Sequence, residues 1–211
     1  MRRILLAAAV YAGMGGLGVF WASASGRSPI ALDAPWWPMS PVLAASTSIG
    51  LGVALALAVI LATRVLVRRT RWARELHLGF RDALGQLSGA EIAFFALSSG
   101  IAEELFFRGA MQPSWGLWPT ALVFGVLHVP PTRRFLPWTL TAGVMGLALG
   151  ALYAATGSLA GPIAAHVLIN YENLHFIEGY DPSAAPRPRK PTPPALVHER
   201  LRAGTGEAPR S

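Results

Sequence analysis

The chain has 211 residues, of which 53% are hydrophobic and only 14% charged. A soluble domain normally carries about 25% charged residues, so this composition excludes an ordinary soluble globule and points to an integral membrane protein. Cysteine is absent, which excludes disulfides, a thiol nucleophile and a cysteine metal site. In chain order, six segments are apolar enough to be read as membrane helices: 4–22, 42–67, 90–111, 117–129, 136–156 and 159–177. The first follows Arg2 and Arg3 and ends in Ala22-Ser23-Ala24, an A-x-A pattern that a cleaved signal peptide would also have. Its apolar run is long for one, so a retained helix is favoured. Between the second and third segments, the stretch around Arg71–Leu87 predicts an amphipathic surface helix. The fourth segment is short and stops at Pro130-Pro131, which predicts a tilted or re-entrant element. From Asp181 the chain holds 7 prolines in 31 residues and is expected to be disordered.

The net charge of +7 would suit nucleic acid if the basic residues formed a patch. They gather instead at segment ends: at 2–3, 64–81, 133–134 and in the tail. This is the positive-inside pattern, with both termini cytoplasmic and the loops at 26–40 and 156–159 outside. No nucleic-acid partner is expected. The expected organisation is a pair of N-terminal helices with a cytoplasmic linker (1–88), a membrane core (89–180) and a tail (181–211).

An ionisable side chain inside a membrane helix costs free energy and marks a functional position by default. In "SSGIAEELFFRGAMQ", Glu104 and Arg108 are four apart and share a helix face, where an ion pair lowers the cost of burying both. Glu103 lies about 100° further round and has no such partner. Without one, its carboxyl is free to act as an acid or base. His128 ends "FGVLH", and His166 and Asn170 are four apart in "HVLIN", where both can donate to one developing oxyanion. Taken singly, each is also explained as a helix-packing contact. Glu172, His175 and Glu178 lie beyond the third set and are read as interfacial.

Together, the two carboxylates, two imidazoles and an amide are equipped to split a peptide bond with water. Other membrane-protease signatures are missing. H-E-x-x-H has its nearest counterpart in "HERLR" at His198, which lacks the second histidine; G-x-S-G and G-x-G-D do not occur.

"EELFFRG", "FGVLH" and "HVLIN" resemble E-E-x-x-x-R, F-x-x-x-H and H-x-x-x-N, the three motifs of the CPBP family. That family includes CAAX prenyl protease 2 (Rce1-type) enzymes, bacteriocin-processing and immunity proteins, and lysostaphin resistance protein A-like proteins. The resemblance spans about 89–171. It implies an all-α, polytopic membrane helix bundle with a CPBP-type core and an intramembrane endopeptidase activity. By the same resemblance Glu103, with Glu104 beside it, is the catalytic glutamate, and His128 helps to activate water. His166 and Asn170 stabilise the transition state, while Arg108 and Phe124 are structural.

Two chemistries remain open on these residues. One is metal-free. In the other, Glu103, His128 and His166 bind Zn²⁺, the logic behind the label metalloendopeptidase. The abundance of Ala, Gly, Leu and Arg looks bacterial, so a membrane-embedded or lipidated peptide, or the C-terminal tail of an exported protein, is the expected substrate. Two non-hydrolytic readings stand beside it: a scaffold or immunity protein of the same fold, and a transporter using the carboxylates as a proton relay.

Overall fold

The computed structural model describes residues 2–128, 132 and 135–184. Among these the chain is a bundle of helices: α1 (Arg2–Ala24), α2 (Pro41–Arg69), α3 (Arg71–Leu84), α4 (Gly89–Glu104), α5 (Gln112–Trp115), α6 (Leu117–Leu127), α7 (Leu136–Thr156) and α8 (Ala160–Gly179). A π-helical segment, Leu105–Met111, joins α4 to α5 without a break. Three helices are long and apolar enough to cross a membrane by length and composition: α1, α2 and α7. The segment expected at 117–129 is an 11-residue helix ending at His128. At about 1.5 Å per residue it covers roughly 16 Å, half of a ~30 Å hydrocarbon core. It does not span the bilayer by itself. Pro130, Pro131, Arg133 and Arg134, and the tail from 185 onward, lie outside the described residues.

Without a hydrophobic drive between helices in lipid, close packing needs small residues. α2 and α8 cross at Gly52 and Gly161, where a Cβ on either would run into the other helix's backbone. Ser48, one turn from Gly52, fixes the crossing: its hydroxyl donates to the Ser158 carbonyl (2.9 Å) and accepts from the Gly161 amide (3.1 Å). α8 also lies against α4 at Gly100, where a Cβ would be 3.0 Å from the Val167 backbone nitrogen. α6 meets α7 at Gly125 and Gly143. α1 lies on α4 and the π segment through Gly15 and Gly18; a Cβ at Gly18 would come within 2.8 Å of Leu105 and Phe106 backbone. These crossings bring the three motif-bearing elements together.

The two ends differ in kind. At one, the loop after α1 is bonded to the α7–α8 turn: Leu32 N–H donates to Gly157 (2.8 Å), and Ala31 pairs with Ser158. These are the two loops expected outside. At the other, Arg64 donates to Asn173 Oδ1 (2.9 Å) and to the Glu172 carbonyl (2.8 Å), and stacks on Phe176. Glu178 accepts from the Leu87 amide (3.1 Å). Glu172 and Glu178 are therefore tied to the basic end of the bundle, away from the other polar groups.

α3 closes that end. Its apolar side is sealed by His77, whose Nε2 donates to the Tyr180 carbonyl (2.8 Å) beside the Phe176 ring. Burial holds the His77 pKa below its ordinary value and Arg81 pushes the same way, while the Tyr180 carbonyl and Asp181 oppose them. The folded state thus prefers the neutral ring, and the unfolded state takes up the proton first, near pH 6.5. The stability that His77 contributes is present above that pH and is lost as pH falls below it. Hydrogen exchange over 71–84, corrected for intrinsic rates, should therefore be faster at pH 5.5 than at pH 7.5. Equal protection at both would mean that His77 does not control this dock.

Candidate active site

α4 starts at a capping box: Ser88 Oγ accepts from the Glu91 amide, and the Glu91 carboxylate accepts from the Ser88 amide. With its start fixed, Glu103 lies 14 residues in, about 21 Å along the axis. The helix then loosens into the π segment, where the Gln112 amide bonds back to Phe107, five residues earlier. π segments of this kind often accompany functional sites.

Glu104 is fully buried, and its Oε1 has two donors. Arg108 Nη1 lies at 2.7 Å along the same helix, and His166 Nδ1 at 2.7 Å from α8. Arg108, also fully buried, sends Nη2 to the Gly146 carbonyl of α7 (3.2 Å) and lays its guanidinium over the Phe124 ring of α6 at 4.5 Å. A single ion pair thus ties α4, α6, α7 and α8. The expected pairing of Glu104 with Arg108 is present; the third member, His166, was not anticipated.

His128 sits where α6 ends. Its Nδ1 donates to the Phe124 carbonyl (2.6 Å), and Trp138 packs edge-on at 5.1 Å. An N–H at Nδ1 leaves Nε2 as a bare acceptor. The ionised Glu104 fixes Nδ1–H of His166 in the same way. Both free Nε2 atoms point at one carboxylate oxygen: Glu103 Oε2 lies 3.8 Å from His128 Nε2 and 3.9 Å from His166 Nε2. Among the described residues this buried Oε2 has no hydrogen-bond partner. The expectation that Glu103 stands apart from the ion pair is met, with two imidazoles as its neighbours.

Asn170 shares the α8 face with His166, but a different partner holds it: Nδ2 donates to Ser99 Oγ (3.0 Å). Ser99 in turn donates to the Phe95 carbonyl (2.7 Å). The motifs do not include Ser99. Its position four residues before Glu103, on the same face of α4, was the available signal.

The donor types of Glu103, His128 and His166 suit zinc. The spacing does not. Among the described residues, no three His, Asp or Glu side chains are placed to hold one metal ion. The gaps of 3.8 and 3.9 Å also exceed the roughly 3.3 Å edge of a tetrahedron with zinc bonds of about 2.0 Å.

Comparison with known proteins bears on the same segment. Residues 86–171 match the family model described as type II CAAX prenyl endopeptidase Rce1-like. The CPBP resemblance drawn from the three motifs holds over the stretch that carries them. An uncharacterized protein of Bacillus subtilis (strain 168), YpbD, is 37% identical over 79 residues. That match covers 37% of this chain and 41% of the relative's length. No solved structure matches the chain.

The two glutamates should separate cleanly in a stability measurement. Glu104→Ala leaves Arg108 buried without its counter-ion and should cost about 3–5 kcal/mol, seen as a large fall in Tm of the purified protein. Glu103→Gln removes a carboxylate whose buried Oε2 has no hydrogen-bond partner among the described residues, and should leave Tm unchanged or higher. Equal losses in the two variants would mean that Glu103 is structural as well.

Proposed function

We propose that the protein is an integral-membrane endopeptidase that cleaves a membrane-associated peptide or a protein's C-terminal tail with water activated by Glu103. The observation that carries this reading is Glu103 Oε2, without a hydrogen-bond partner among the described residues, facing two imidazole Nε2 atoms at 3.8 and 3.9 Å. Those gaps are too long for direct hydrogen bonds and suit one bridging water.

In this scheme the water donates one hydrogen to Glu103 and the other to His128 Nε2. His128 cannot rotate away while Nδ1 is held by the Phe124 carbonyl. Glu103 takes the proton as the water oxygen attacks the scissile carbonyl. When substrate binds, His166 takes up a proton from solvent at its free Nε2, and this imidazolium, with Glu104 behind Nδ1, stabilises the oxyanion together with the Asn170 amide. The imidazolium needed for this sits between two carboxylates, as in a Ser-His-Asp site where a buried acid supports the histidine. Glu103 then passes its proton to the leaving amine as the C–N bond breaks.

Glu103, His128, His166 and Asn170 thus touch the reacting atoms, while Glu104, Arg108 and Phe124 hold them in place. Glu104 is catalytic only in that it charges His166. The setting proposed is a bacterial cytoplasmic membrane with both termini inside, and 89–180 is the catalytic unit.

Comparative analysis of membrane and secreted protein C-termini tests this reading in cells carrying wild type, Glu103→Gln or a deletion. Some protein should keep its tail in both mutants and lose it in wild type. Purified protein acting on that tail should be indifferent to chelators. Identical termini in all three, with a phenotype in the deletion alone, would replace the protease with a scaffold.

A further inference from the structure

α3 lies outside the segment that matches the family, 86–171. It reaches the site through a row of rings. Phe80, one turn after His77 on α3, meets the Trp138 ring of α7 at 5.2 Å between centroids, with the planes 85° apart. Trp138 in turn meets the His128 ring at 5.1 Å and 76°. Both contacts are edge-to-face, an arrangement that aromatic quadrupoles favour. Phe135, at the start of α7, packs on Phe80 as well, at 5.0 Å. Phe80, Phe135 and Trp138 are all partly buried.

His128 needs support because of where it stands. It is the C-cap of α6, and the last carbonyls of a helix have no partner within it. Its carbonyl is taken instead by the Thr139 hydroxyl, which donates at 2.9 Å. Its ring is held by one hydrogen bond, from Nδ1 to the Phe124 carbonyl, in the turn of a helix most prone to fray. Trp138 and Thr139 are adjacent in the first turn of α7, one touching the ring of His128 and the other bonding its backbone. Phe80 backs Trp138 from a helix with its own anchors on α8. His77 Nε2 donates to the Tyr180 carbonyl at 2.8 Å, and Arg81 Nη1 donates to the Ile177 carbonyl at 2.7 Å. The row of rings thus starts on a helix fixed to the element that carries His166 and Asn170.

We propose that Phe80 is a positioning residue that acts through Trp138 to hold the His128 ring in place, and so makes the surface helix α3 a working part of the site. The consequence for chemistry rests on the protease reading, in which His128 Nε2 accepts a hydrogen from the attacking water. The placement of the ring can be tested without any substrate.

The chain has five histidines, so ¹³C,¹⁵N-histidine labelling of the full-length protein in lipid gives five rings to follow, assigned by single substitution. Phe80→Leu keeps an apolar side chain and removes the ring. It should shift the His128 ring signals, which feel the ring current of Trp138. The His166 signals should stay put and report that the core is intact. Phe80→Tyr retains the ring and should keep the wild-type His128 signals. In a Trp138→Leu background, Phe80→Leu should add nothing further. On a cleavable tail, Phe80→Leu should lower kcat about 2- to 10-fold with KM unchanged, the scale of one aromatic pair.

Unmoved His128 signals in Phe80→Leu would overturn the proposal. So would an undiminished shift in the Trp138→Leu background, because Phe80 would then act by another route. Equal shifts at His128 and His166 would do the same, since they would report a loosened bundle and not a released ring. A shifted His128 in a protein that cleaves nothing, wild type included, would uphold the positioning role and sink the protease reading, so the two can fail independently.

Discussion

Everything at the centre of the molecule depends on the Glu104 carboxylate. One oxygen accepts from Arg108 and from His166, at 2.7 Å each, with carboxylate and guanidinium both shut off from solvent. Burying those charges is costly, and the cost is offset only if geometry and extra hydrogen bonds are good. Arg108 meets that demand by reaching the Gly146 carbonyl and the Phe124 ring, which are on different helices. The ion pair thus sets the register of four helices at once. It also sets the tautomer of His166, and with it the nitrogen that faces Glu103. Stability and chemistry are divided between adjacent residues because successive side chains on a helix point about 100° apart.

Bringing those helices close enough is the work of small residues. Gly52 and Gly161, Gly100, and Gly15 with Gly18 each lie where a side chain would meet a neighbouring backbone or Val167. In lipid such contacts replace the hydrophobic drive that packs a soluble core. The arrangement explains why α1 and α2 belong to the site although neither carries a motif. α2 sets α8 through Ser48, and α1 packs on α4 and the π segment through Gly15 and Gly18.

Much of this was legible in the sequence. Composition pointed to an integral membrane protein, the motif resemblance implied an all-α bundle, and the i, i+4 spacing indicated the Glu104–Arg108 pair and the isolation of Glu103. Spacing within a helix says nothing about partners on other helices. That is why the particular partners, Glu104 for His166 and Ser99 for Asn170, were not foreseen. The fourth segment looked like a weak span because hydropathy counts apolar residues wherever they lie. Its helix ends at His128, whose ring bonds the carbonyl one turn back.

The arrangement makes one commitment that requires no substrate. If Glu104 and the Phe124 carbonyl each hold an Nδ1–H, then the neutral rings of His128 and His166 both turn Nε2 toward Glu103 as an acceptor. ¹⁵N spectra of the histidine rings in lipid-embedded protein, assigned by single substitution, read this directly. Two Nδ1–H tautomers are predicted, with Glu104→Gln disturbing His166 and sparing His128. Nε2–H tautomers at both rings would place hydrogens where the activated water must donate its own, and would contradict the account at its centre.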